Sequence, residues 1–130
     1  MTSLSKSAYP FVAIVLLAIS GCGYSASKHR VEPATALQTL KQVLDSWKQG
    51  DTPESWQQRS PAVVVQDFDW KAGRKLQEYE ILNEGESVDA NLYCNVKLKF
   101  SDARAGKSER TVTYLVGTSP VLTVFRSPTP

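Results

Sequence analysis

Apolar residues recur along this chain in three different patterns. Phe11 to Ile19 form an unbroken apolar run. Further on, Leu37, Leu40, Val43, Leu44 and Trp47 return every three or four residues, which predicts a helix with one apolar stripe. Pro33 suits the first turn of that helix and Gly50 its end. Asp51-Thr52-Pro53-Glu54 has the form of a second helix start: a capping acid, a proline in the first turn and a glutamate three residues on. A short helix through about Arg59 is therefore expected, ended by Ser60-Pro61. Val63, Val64 and Val65 favour extended backbone, Asp67 to Trp70 read as strand or loop, and Gly73 marks a turn or bulge. The period then changes to two. Leu92, Cys94, Val96, Leu98 and Phe100 alternate with polar neighbours, as Val112, Tyr114 and Val116 alternate with Thr111, Thr113 and Leu115. Strands are predicted over Leu76 to Leu82, Leu92 to Phe100, Arg110 to Val116 and Val121 to Arg126. The linkers between them are short and rich in turn residues, as antiparallel hairpins require.

A one-sided helix and one-sided strands need each other as cover. The expected architecture is α+β: an N-terminal helix, with a short second helix, packed on a curved four-stranded antiparallel sheet. Residues 32–126 are assigned to this single domain, residues 22–31 to a tether and residues 127–130 to a frayed tail. The chain carries 15 Lys and Arg against 13 Asp and Glu, so net charge gives no reason to expect nucleic acid as partner.

The first apolar run is too short to cross a membrane, which takes about 20 residues. Its length matches a secretory signal, preceded by Lys6 and followed by small residues. Ile19-Ser20-Gly21-Cys22 resembles a bacterial lipobox. That resemblance implies cleavage after residue 21 and diacylglycerol, often with a third acyl chain, on Cys22. Two or more chains anchor stably, at about 0.8 kcal/mol per buried methylene. Gly23 stands where an aspartate would suggest inner-membrane retention, so the family rule implies the outer membrane, facing the periplasm, in a cell with two membranes. Cys94 would then be the remaining cysteine, set in an apolar stripe where a thiol behaves as a small hydrophobe.

Candidate chemistry is sparse. His29 is the one histidine and falls in the tether. The sequence contains no zinc spacing, no P-loop or glycine-rich nucleotide fingerprint and no serine elbow, so no cofactor or metal is expected. Asp67 and Asp69 form an acid pair that, if extended, projects to one side with Phe68 and Trp70 on the other. Two close carboxylates can share a proton or hold a hard cation. The plainer expectation is a solvated face above a buried aromatic pair, and Glu78 with Glu80 reads likewise as water-facing. Trp47, Trp56, Trp70, Tyr79 and Tyr93 are candidate walls of a ligand mouth, or else the rings that fill the ends of a small cone. Lys97, Lys99, Arg104, Lys107 and Arg110, against Asp102 and Glu109, are a candidate basic contact patch on a hairpin.

Helix, short helix and successive strands resemble the cystatin-like, nuclear-transport-factor-2-like cone, and the helix ending Leu44-Asp45-Ser46-Trp47-Lys48-Gln49-Gly50-Asp51 is similar to the opening helix of such domains. Asp69-Trp70-Lys71-Ala72-Gly73 and Val112 to Pro120 resemble stretches of small, uncharacterised bacterial lipoproteins. Fold analogy implies no activity, since this cone carries enzymes, binders and scaffolds alike. The expectation is a non-enzymatic, membrane-anchored envelope protein that binds or scaffolds an envelope partner. The alternative is a pocket protein for a small molecule, with weak catalysis from Asp67 and Asp69.

Overall fold

The computed structural model describes residues 29–102 and 108–129. The signal segment, Cys22, Arg104 and Lys107 lie outside the described residues. Among the described residues no helix is long and apolar enough to cross a membrane.

Helix α1 spans Pro33–Gln49 and buries Ala36, Leu40, Val43, Leu44 and Trp47 on one face. Its end follows the glycine rule. Gly50 takes a left-handed φ of 97°, and the backbone N–H groups of Gly50 and Asp51 close the last turn on Trp47 O and Ser46 O. The second helix is a 3-10 helix over Pro53–Gln58. Its N-cap residue is Thr52, not Asp51. The Asp51 carboxylate instead accepts from Ser46 Oγ at 2.6 Å and Arg59 Nη2 at 3.2 Å.

Among the described residues six strands follow: β1 (Val63–Gln66), β2 (Leu76–Ile81), β3 (Glu86–Val88), β4 (Asn91–Phe100), β5 (Glu109–Gly117) and β6 (Leu122–Arg126). They form one mixed sheet in the order β1-β6-β5-β4-β2, with β3 also on β4. The four-stranded antiparallel expectation fails at two places. The three valines do not idle in a connection; they pair in parallel with β6, Val65 opposite Val124. The linker Asn83 to Asn91 also contains β3, which extends β2 along the same edge of β4. Gly85, at φ 90°, joins those two pieces, and a Cβ there would come within 2.7 Å of Leu92 Cγ. Asp67 to Trp70 is neither strand nor loop but part of a one-turn helix, α2, over Phe68–Lys71.

The alternation on β4 holds over its whole length, with Leu92, Cys94, Val96, Leu98 and Phe100 all buried on its inner face. Burial raises the Cys94 thiol pKa. Strand registers define two poles. At one lie the starts of β1, β4 and β6 and the end of β5; at the other lie the end of β4, the start of β5 and the ends of β1 and β6. The chain joins the fold at the first pole. Val31, buried rather than part of a free tether, donates its N–H to Asp89 O at 3.1 Å, and Glu32 N donates to Thr118 Oγ1 at 3.0 Å. At the far end of the chain, Ser127 N still pairs with Thr113 O at 2.8 Å.

Candidate functional site

The densest polar chemistry sits at the second pole, where β1 gives way to α2. Asp67 caps α2: its Oδ1 accepts the backbone N–H of Asp69 at 2.9 Å and of Trp70 at 3.1 Å. That role turns the carboxylate inwards, beneath the inner face of β5 and β6. Arg126 occupies the inward parity of Leu122 and Val124 on β6, and Tyr114 that of Val112 and Val116 on β5. Arg126 Nη1 reaches both oxygens of Asp67, at 3.0 and 3.2 Å, and Nη2 reaches Asp69 Oδ2 at 2.5 Å. Tyr114 donates its phenolic O–H to Asp67 Oδ2. Arg110 Nη1 adds a bond to Asp69 Oδ2 at 3.1 Å. The Asp67 and Arg126 side chains are each 1% exposed, whereas Arg110 is 39% exposed.

Two carboxylates thus meet two guanidinium groups, and the cluster is neutral as a whole. Burial, then the charge of Asp67, drives the Tyr114 phenol well above its ordinary pKa, so it stays a donor. Burial alone would lower the Arg126 pKa, but Asp67 and the bond to Asp69 outweigh it and raise it.

This corrects the expectation for Asp67 and Asp69. They do come together, but as buried partners of a shared guanidinium, and the aromatic neighbour Phe68 is the exposed one. Arg126 stands where a hard cation would have to sit. Among the described residues no group of three or more His, Cys, Asp or Glu side chains gathers in metal-binding fashion. His29 is exposed. Glu78 and Glu80 face water on the outer surface of the sheet, as expected, opposite Lys99 and Lys97.

The five aromatic candidates do not surround one opening. Trp47 and Trp70 are stacked with centroids 5.2 Å apart, and Trp47 also abuts Phe100. Each indole N–H has a protein acceptor: Trp47 on Arg74 O, Trp70 on Asp51 O and Trp56 on Ser46 Oγ. The three rings thereby fasten segment 51–56 and α2 to the end of α1, and Arg59 lies over Trp56 at 3.7 Å. Tyr79 is half-buried against α1 and donates to Asp45 at 2.8 Å, and burial and that bond raise its pKa. Tyr93 is on the opposite face of the sheet, opposite Leu115.

The basic patch also divides. Lys97 and Lys99 point outwards among Glu78, Glu80 and Glu109, while Arg110 shares the inward parity of Val112 and Tyr114. Strand alternation separates residues that sequence proximity had grouped. The same alternation was the available signal for the residues missed, Arg126 and Tyr114: a basic residue continuing an inward apolar row requires a buried anion.

The cavities are open hollows. A groove of about 520 Å³ runs between α1 and Arg59 to Pro61. One of 290 Å³ lies beside Trp47 and Trp70. Another of 220 Å³ adjoins the charge cluster at Phe68, Arg110 and Arg126. No protein-family model, curated protein or solved structure matches this chain.

Proposed function

We propose that this chain is a non-enzymatic, lipid-anchored binding or scaffolding module of the cell envelope, on a cystatin-like or nuclear-transport-factor-2-like domain. In a cell with two membranes it stands on the outer membrane, facing the periplasm. The lipobox-like Ile19-Ser20-Gly21-Cys22 carries this reading, and the polarity of the fold sets its consequence. Cys22 is nine residues from Val31, where the backbone is tied between the β3–β4 and β5–β6 turns. Nine extended residues reach at most about 30 Å. Lipid on Cys22 therefore holds the first pole near the bilayer and turns the charge-cluster pole towards whatever lies beyond.

The pairing within the cluster argues against turnover by these residues. A general base or nucleophile needs a group open to substrate, whereas Asp67, Asp69 and Arg126 face one another and Tyr114 keeps its proton. The alternative catalytic role of Asp67 and Asp69 has no accessible carboxylate pair to start from.

Two measurements test the reading. Radiolabelled fatty acid supplied to cells should enter the wild-type protein and not Cys22→Ala; equal labelling of both overturns the anchor. Crosslinking of the full-length protein in cells, followed by mass spectrometry, should capture one dominant envelope partner. Recovery of background proteins alone would overturn the scaffolding role.

A further inference from the structure

The 220 Å³ hollow beside the charge cluster combines two features that packing does not account for. Phe68 is 50% exposed, although its neighbour Trp70 is buried, and an apolar ring left in water favours cover. One face of the ring is held by the Arg126 guanidinium at 4.3 Å, and the side chain also lines the hollow. The second feature is the arrangement of charge. The cluster is neutral, yet its carboxylates are inside, and Arg110 is the charged group that reaches the surface. Among the described residues only Nη1 of Arg110 is engaged, on Asp69, and a guanidinium has five donors. Val112 and Pro128 continue the apolar wall, and Thr111, Ser127 and Thr129 complete the lining.

We propose that this hollow binds a monocarboxylate with an apolar body, its carboxylate on Arg110 and its body against Phe68 and Pro128. The sign follows from Arg110, which repels amines. A single available cation suits a monoanion better than a phosphate dianion, because Arg126 is already held by two carboxylates. The chemistry is shared by a peptide chain end with an apolar last residue and by a free aryl or acyl acid of similar size. The proposal rests on the reading of the domain as a binding module but not on its anchor. Loss of fatty-acid labelling would leave it standing, and failure of acid binding would leave a crosslinked partner standing.

The test is amide NMR of the ¹⁵N-labelled full chain in lipid nanodiscs, titrated with N-acetylphenylalanine, 3-phenylpropionate and N-acetylphenylalaninamide. Both acids should shift Thr111, Ser127 and Thr129 saturably, with Kd of about 1–10 mM, and the amide should not. Arg110→Gln should weaken acid binding about tenfold or more, as expected for loss of a charge-assisted contact worth about 1.5–3 kcal/mol. It leaves Asp69 paired with Arg126, so the fold persists. Phe68→Ser, at an exposed position, should weaken binding without unfolding. Tighter N-acetylphenylalanine assigns the site to chain ends, and tighter phenylpropionate assigns it to free acids. Absence of saturable shifts up to about 50 mM of either acid overturns the proposal. So does equal binding of the amide, or unchanged binding in a folded Arg110→Gln variant.

Discussion

Two sets of opposite charges lie a few residues apart on this sheet and play different physical roles. On the inner side, Arg126, Asp67, Asp69 and Tyr114 are enclosed, with Arg126 making contacts of 2.5 to 3.2 Å. On the outer side, Lys97 approaches Glu80 at 4.0 Å, with the two side chains 45% and 67% exposed. Lys99 sits in register between Glu78 and Glu109. Outside, water already solvates each charge, so pairing adds little and salt screens it. Inside, the groups have given up water, so each depends on the others and removal of one leaves a buried charge alone. The inner cluster thus decides whether the sheet closes on α2, and the outer ladder mainly keeps the face wet.

Several experiments probe that contrast, beginning with the largest effect. Arg126→Ala leaves the buried Asp67 carboxylate without a counter-charge and Asp69 with Arg110 alone, and should cost about 3–5 kcal/mol, read as a collapse of the urea midpoint. A loss under about 1 kcal/mol would erase the distinction between the two faces. Asp67→Asn keeps a side-chain oxygen for the α2 cap and leaves Asp69 on Arg126, so about 2 kcal/mol is expected in the same assay. Tyr114→Phe removes one bond to that carboxylate and should cost about 1–2 kcal/mol near neutral pH.

Tyr114 also gives the cluster a pH dependence. Its folded pKa lies above the unfolded value of about 10, so its contribution is complete below pH 10. Above that, the unfolded chain releases a proton that the folded chain retains. Stability should fall by up to about 1.4 kcal/mol per pH unit from this group until its folded pKa is reached. Tyr79 acts in the same direction. Denaturation followed from pH 8 to 11 should show a shallower alkaline decline in Tyr114→Phe than in the wild type. At the small end, Lys97→Ala should change stability by no more than about 0.5 kcal/mol. High salt should abolish even that, while leaving the Arg126→Ala deficit in place.

Legibility followed the range of the forces involved. The stripe Leu40, Val43, Leu44 and Trp47, the stop at Gly50 and the alternation from Leu92 to Phe100 are local patterns, and each reappears in α1 and β4. The buried thiol of Cys94 follows from the same alternation. The cap of Pro53–Gln58 was harder to read, because the Asp51 carboxylate is drawn to Ser46 and Arg59. Val63 to Val65 announced extended backbone but not the strand they would join. Parallel pairing with β6 brings together segments about 60 residues apart, and no local pattern records it.

The candidate site divides in the same way. Sequence alone placed Asp67 beside Asp69, and placed Arg110, Tyr114 and Arg126 on strands whose period set their faces. It also supplied the lipobox-like Ile19 to Cys22, which is a matter of residue order. Tertiary structure alone decided that Asp67 would cap α2, turn inwards and meet a guanidinium 59 residues away. The reason is physical. Periodicity and capping depend on neighbours within a few residues, whereas desolvating a charge is tolerable only once its counter-charge is in place, and that partner is chosen by the packing of the whole domain.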